Sequence, residues 1–259
     1  MAELRGVGRY EVVGAGPAVV ILSNPQADPG WWAAPLVTAL TAAGFQAVSF
    51  VHTGPEHEPG AVARDVAALI SHLGVGPAFL VGWSQGAAIA QEVALRHPDL
   101  VAAAALIAGY ARRNAFDLVL ADAWAALDEA GPELDPVRLA LLFLTSHPVP
   151  ELGDDTFVEP LLAGMRRWSA RGPSDARDRS KAFLRAYEDR RPELATLRVP
   201  CLVMGFELDA DTFVTRAREV AEAIPGSRYV ELAGAAHLAP ITEPARVCGP
   251  IVEFLLTRR

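Results

Sequence analysis

Ser84 stands between two glycines in G-W-S-Q-G, residues 82–86, where an apolar run (AFLV) gives way to an Ala-rich stretch (AAIAQEVALR). A hydroxyl is a poor nucleophile until a base takes its proton, and that base needs an acid to orient it. Both residue types follow downstream. The stretch CLVMGFELDAD supplies Glu207, Asp209 and Asp211, and VELAGAAHLAP supplies His237. Any of the three acids satisfies the chemistry at this level. The glycines are explained if Ser84 occupies a sharp turn from strand to helix, where side chains at 82 and 86 would strike neighbouring backbone. A helix starting there also aims free N–H groups and its positive dipole end at a developing anion. Serine, then acid, then histidine is the chain order that such a strand–turn–helix site uses.

The elements that must position these residues are legible as apolar periodicity. Residues 18–23, 46–51, 78–81, 101–107, 202–206 and 228–232 read as strands, and 8–13 as a weaker alternating one. Residues 31–43, 60–73, 85–96, 212–224 and 245–256 read as helices; in 60–73, Val62, Val66, Leu69, Ile70 and Leu73 share one face. Such alternation predicts an α/β fold, a mostly parallel sheet flanked by helices, with its chemistry at the carboxyl ends of the strands. The pattern breaks between residues 112 and 192. There Leu120, Trp124 and Leu127 share a helical face, as do Phe157, Leu161, Met165 and Trp168, between repeated prolines. The expected organisation is therefore a core of residues 1–111 and 193–259, interrupted by a helical insertion over 112–192.

The 259 residues are 51% hydrophobic and carry 31 acidic against 23 basic side chains, a net charge of -8. This suffices for a sizeable core and leaves no basic stripe for nucleic acid. No apolar stretch reaches eighteen residues and the first residues lack a signal-peptide pattern, so a soluble, cytoplasmic protein that does not engage membranes is expected. Cys201 and Cys248, both in apolar surroundings, read as reduced and buried. No spacing of metal ligands occurs. His72 and His97 fall at helix ends, where capping or surface roles are ordinary. His147 lies in the insertion, with pocket lining as the alternative to a bland role.

These segments resemble the α/β-hydrolase superfamily over nearly the whole chain. VGWSQG is similar to its nucleophile elbow and GAAHLAPITEP to its histidine loop. VPCLVMGFELDADT is similar to the segment bearing the acid, which places that role on Asp209 rather than Glu207 or Asp211, and the insertion matches the family's helical cap. The resemblance implies a serine hydrolase that cleaves a small-molecule ester or thioester through an acyl-enzyme. Ser84 would attack, His237 shuttle the proton, Asp209 orient the imidazole and the Gln85 N–H hold the oxyanion. It implies no metal or organic cofactor. The implied partner is a small-molecule substrate, a carrier-bound acyl group of a biosynthetic pathway included.

One loop departs from the family. Where relatives commonly read His-Gly-x, with x donating its N–H to the oxyanion, this chain has Ser23, Asn24 and Pro25. Proline has no N–H, and one missing donor typically costs about 2.7 to 4 kcal/mol of transition-state stabilisation. Three readings follow: Gln26 donates after a register shift, the Asn24 amide donates, or the chemistry is a non-hydrolytic elimination or ring closure on the same fold. Trp83 is placed as a pocket wall, with Trp31 and Trp32 near the same mouth. Relatives often carry D-x-R-G where this chain reads V-H-T-G, so His52 is expected to structure its loop.

Overall fold

The computed structural model describes residues 1–24, 32–169 and 175–259. The chain begins with β1 (Ala2–Leu4) and β2 (Gly8–Val13), paired antiparallel with Ala2 opposite Tyr10. Strands and helices then alternate: β3 (Ala18–Leu22), α1 (Ala34–Ala42), β4 (Gln46–His52), α2 (Pro59–Leu73), β5 (Ala78–Trp83), α3 (Gln85–Arg96) and β6 (Val101–Ile107). Helices follow: α4 (Ala115–Ala130), α5 (Asp135–Ser146), α6 (Asp155–Ser169), α7 (Asp175–Ala186) and α8 (Arg191–Leu194). The alternation resumes with β7 (Cys201–Phe206), α9 (Val214–Ala223), β8 (Arg228–Leu232), α10 (Ala239–Thr242) and α11 (Pro244–Leu256).

The strands form one eight-stranded sheet in the order β1-β2-β4-β3-β5-β6-β7-β8. β2 is antiparallel to β4, and every pairing from β4 to β8 is parallel. The central strands are buried along their whole length because helices cover both faces, which is why β3, β5 and β7 read as unbroken apolar runs. The period of two is still visible in which core each residue joins. Val20, Leu22 and Leu80 pack on one side with Val62, Val66 and Val93 of α2 and α3. Val19, Ile21 and Val81 pack on the other with Leu36 and Leu40 of α1 and Ile251 of α11. β5 runs two residues past the expected end at Val81, because Gly82 and Trp83 still pair with Leu106 and Ile107 of β6. The two cysteines are free and buried, one on β7 and one on α11. Burial pushes the Cys201 thiol up to about 12 and Cys248 up to about 11.

The helical stretch after β6 is bound to the sheet layer chiefly by arginines. The Arg190 N–H donates to the Ala111 carbonyl at 2.8 Å, so the points where the chain leaves and re-enters are joined directly. The Arg190 guanidinium pairs with the buried Glu92 of α3. Arg112 pairs with Glu219 at 2.7 Å, and Arg216 with Asp117 at 2.8 Å. Asp117 also completes a reciprocal cap with Asn114 at the start of α4. Phe183 and Tyr187, on α7 and just after it, insert into the core beside α3.

Candidate active site

The parallel register lines up the strand ends. Leu22 lies opposite Gly82, Trp83 opposite Ile107, Ile107 opposite Met204, and Phe206 opposite Leu232. Residues just beyond these positions therefore share one edge of the sheet. β3 lies between β4 and β5, so the chain departs in opposite directions on its two sides. A crevice opens at such a reversal. Residues 23–24 and Ser84 flank it.

Ser84 has φ 56° and ψ −121°, a left-handed conformation that a residue with a side chain rarely adopts. Strain of this kind costs on the order of 1–3 kcal/mol and persists where the surroundings over-determine it. Here the Ser84 N–H donates to the Ile107 carbonyl at 2.9 Å, and the Ala87 N–H to the Ser84 carbonyl at 2.9 Å. A Cβ on Gly82 would collide with the Gly86 carbonyl and stand 2.7 Å from the Ala87 nitrogen. A Cβ on Gly86 would collide with the Leu22 carbonyl and stand 2.8 Å from the Ser23 nitrogen. Both glycines are required by close backbone approach. Gln85 is the first residue of α3 and is buried. Its backbone N–H belongs to the first turn, whose donors have no partner within a helix. Its side chain carbonyl accepts a 2.6 Å hydrogen bond from the Ser180 hydroxyl on α7.

Asp209 and His237 meet at the same edge, in the loops after β7 and β8. His237 Nδ1 lies 2.9 Å from Asp209 Oδ2, with both side chains buried. Three further donors hold the carboxylate: the backbone N–H groups of Asp211 and Thr212, each at 2.9 Å, and the Thr212 hydroxyl at 2.8 Å. Burial opposes ionisation of Asp209, yet His237 and the Thr212 donors outweigh it and hold the carboxyl below the usual carboxylate range. On the other side of the imidazole, Asp211 Oδ2 lies 3.1 Å from Nε2. Burial works against a charged His237, but the carboxylates of Asp209 and Asp211 prevail and raise it to about 9. Burial raises the Asp211 carboxyl, and the negative charges of Asp209 and Asp117 add to that. Glu207 is engaged elsewhere: its carboxylate accepts the Gly234 N–H at 2.7 Å, tying the acid loop to the histidine loop.

The Trp83 ring lies 5.4 Å from the His237 ring, and Trp32 lies 5.3 Å from Trp83, so an indole pair flanks the imidazole. Asn24 is half-buried at the end of β3. Pro25, Gln26 and Trp31 lie outside the described residues. His52 is buried at the end of β4 with Nε2 2.7 Å from Asp65 on α2. Burial lowers its pKa, against the pull of Asp65. His72 is in the last turn of α2, 3.4 Å from the Tyr10 hydroxyl, and His97 follows α3 directly. His147 is buried between Phe143 and Phe157, and burial lowers it to about 4. The preceding residue touches the histidine loop, since the Ser146 carbonyl accepts the Leu238 N–H at 3.1 Å. Sequence reasoning missed Thr212, Ser180 and the contact of Asp211 with Nε2. The Asp209 side chain bonding the backbone N–H two residues on is a common turn, but it points to the Asp211 N–H and gives no signal for the Thr212 hydroxyl. Among the described residues, no group of three or more metal-ligating side chains is suitably gathered, and no helix is long and apolar enough to cross a membrane.

Comparison with known proteins places this geometry. Residues 16–249 match the family model described as "Alpha/beta hydrolase family". A protein of Mycobacterium tuberculosis named "Putative non-heme bromoperoxidase BpoC" is 31% identical over 255 residues, covering 95% of this chain and 96% of that one. Its crystal structure superimposes with a TM-score of 0.88 over 97% of this chain and 96% of that chain, at 29% identity. An Azorhizobium caulinodans protein named "Putative carbamate hydrolase RutD" is 28% identical over 252 residues, covering 91% of this chain and 89% of the other. With its mostly parallel eight-stranded sheet, flanking helices and serine turn, the chain belongs to the alpha/beta hydrolase family and is an enzyme of hydrolase type.

Proposed function

We propose that this enzyme is a serine hydrolase that cleaves a small-molecule ester or thioester through an acyl-enzyme intermediate. One observation carries the reading. A buried carboxylate–imidazole pair, Asp209 and His237 at 2.9 Å, shares a strand-end edge with a serine held in left-handed backbone at a helix start. Asp209 fixes the imidazole with its Nδ1 as donor, which leaves Nε2 to take the Ser84 proton. Ser84 Oγ then bonds the substrate carbonyl carbon, and the oxyanion forms beside the Gln85 N–H. His237 returns the proton to the leaving group, and water releases the acyl group by the same steps. Residues 112–192 act as a cap over this edge and select the substrate, a small molecule or a carrier-bound acyl group met in the cytoplasm. The carbamate named for one relative is also an acyl electrophile, which agrees with this chemistry. A fluorophosphonate probe should label the wild-type chain at Ser84 and fail on Ser84→Ala; equal labelling of the variant would remove Ser84 as nucleophile.

A second reading, acyl elimination or ring closure on the same scaffold, is favoured by the sequence: Pro25, which has no N–H, is the residue that matches the x of the relatives' His-Gly-x, the usual source of a second oxyanion donor. Under it, p-nitrophenyl esters turn over barely above background while His237→Ala still abolishes the native reaction. Fast ester turnover decides for hydrolysis.

A further inference from the structure

Nε2 is the nitrogen that must accept the Ser84 proton, and the contact it makes is with a second carboxylate. Asp211 Oδ2 stands 3.1 Å away. The valences at this point are constrained. Asp209 already accepts three protein donors besides His237, so it is ionised and Nδ1 must be the donor in the 2.9 Å contact. A carboxylate 3.1 Å from Nε2 favours the imidazolium by its charge, as an ion pair. The proton then held on Nε2 occupies the site the serine proton must enter.

We infer that Asp211 is a positioning residue whose carboxylate, as ion-pair partner, holds His237 Nε2 protonated in the resting enzyme, and so withholds the base until Asp211 moves aside or the proton is lost. The inference rests on the reading of His237 as the base of a serine hydrolase. Opening balances simply: the proton leaves with Asp211 as a carboxylic acid or passes to solvent, Nε2 regains its lone pair, and the Ser84 hydroxyl proton then enters there as Oγ bonds the acyl carbon.

The loop is built to present Asp211. Asp209 Oδ1 accepts the N–H groups of both Asp211 and Thr212, so the bonds that hold the acid also fix the backbone that carries Asp211. Phe213, two residues on, has φ 58°, and its ring lies 5.6 Å from that of Phe116 on α4. The groups facing Asp211 are His237, Asp209 on its own loop, Asp117 on α4 and Tyr110 after β6, with Arg216 of α9 committed to Asp117 at 2.8 Å. Among the described residues, the groups directed at Asp211 other than His237 are carboxylates and a phenol, so the imidazolium is the charge that offsets its own. The raised pKa of His237 agrees with this arrangement. The Asp211 side chain retains 31% of its accessible surface, so solvent reaches the pair.

The test uses the full chain as wild type, Asp211→Ala and Asp211→Asn. The His237 titration midpoint is read by ¹⁵N-edited NMR of the imidazole, and the fluorophosphonate labelling rate of Ser84 is followed from about pH 5 to 10, a range that brackets the imidazole titration. Asp211→Ala should lower the midpoint by about one pH unit or more, raising labelling about tenfold on the acid limb while leaving the alkaline plateau unchanged. Asp211→Asn, which keeps the shape and removes the charge, should shift the midpoint in the same direction. An unchanged midpoint in both variants overturns the inference. So does loss of labelling at every pH in a variant that melts like wild type, for Asp211 would then serve the chemistry itself. A lowered midpoint with no labelling of Ser84 in any protein leaves the ion pair standing and refutes the hydrolase reading instead.

Discussion

The Ser84 side of the candidate site and the Asp209–His237 side are held in place by different forces. Ser84 is positioned by backbone sterics: Gly82, Gly86 and the carbonyl of Leu22 are so close that no added methyl fits, and α3 is buried from Gln85 through Ala94. Asp209 and His237 are positioned by directed polar contacts on loops, with three donors on the carboxylate and a carboxylate on each side of the imidazole. Steric fixation is indifferent to pH and salt but intolerant of volume. Polar fixation tolerates volume and responds to every proton. Under the proposed function, the rigid element lies beneath the nucleophile and the titratable elements surround the proton to be moved.

This contrast can be broken in order of effect. Asp209→Asn should reduce kcat for an activated ester by up to about 10⁴, because an amide neither selects the donor tautomer at Nδ1 nor stabilises the imidazolium. Glu207→Gln should stay within about tenfold, since Gln keeps an acceptor oxygen for the Gly234 N–H and gives up only the charge-assisted part of that bond, roughly 1 kcal/mol. A reversal in steady-state kinetics would mean that the wrong acid has been assigned. Next, Gly86→Ala should cost about 1–3 kcal/mol of stability or more by overpacking, seen as a lower urea midpoint by the same amount at about pH 6 and about pH 8, since a steric clash carries no proton.

The polar side should supply the pH dependence. His237 is raised to about 9 in the folded chain against about 6.5 unfolded. Its stabilising contribution is therefore complete below about pH 6.5 and is lost as pH rises through about 9. Asp211, raised as well, acts in the same direction from lower pH. Asp209 is depressed, so its contribution is present above its unfolded pKa and is lost as pH falls through the folded one. Wild-type urea midpoints should accordingly fall from about pH 6.5 to about 9, and His237→Ala should flatten that limb; an unchanged slope contradicts the account. The smallest effect is expected at Gly249, inside α11. Nothing beyond its own helix backbone and chain neighbours lies within 4 Å of where an added methyl would stand, but Pro250 follows and opposes a Cβ on the preceding helical residue, so the helical gain of Gly249→Ala is offset and the urea midpoint should shift by less than about 1 kcal/mol.

The two sides also differ in how far they can be read from sequence. The elbow is legible because its determinants are local: a Gly-x-Ser-x-Gly spacing between an apolar run and an Ala-rich one states its own geometry. The positions of β2 to β8 are legible for the same reason, within a residue or two, whereas the three-residue β1 is too short to show a period. The neighbours of the imidazole are not. Asp211 reaches Nε2 only because a turn bonded to Asp209 aims it there, and Ser180 reaches Gln85 across 95 residues of sequence. Neither is encoded by periodicity. The helices after β6 are legible as helices but not as individuals, since prolines mark their ends without fixing their partners. α7 in particular, with Arg and Asp at most positions of its first half, gives no apolar stripe to follow until Phe183 and Leu184.

The hydrogen bond between Arg190 and Ala111 closes the helical stretch at its base, so the sheet layer presents both chain ends side by side, as a socket does. Loops between such adjacent ends tolerate exchange. A foreign segment grafted between these two residues would need no long linkers, and its own fold would decide what it covers. It would also have to replace the anchors the native segment provides: Arg112 on Glu219, Asp117 on Arg216, the Phe183 and Tyr187 rings beside α3, a hydroxyl against Gln85, as Ser180 gives, and a carbonyl against the Leu238 N–H, as Ser146 gives. Those contacts are the terms on which one sheet could accept many different segments.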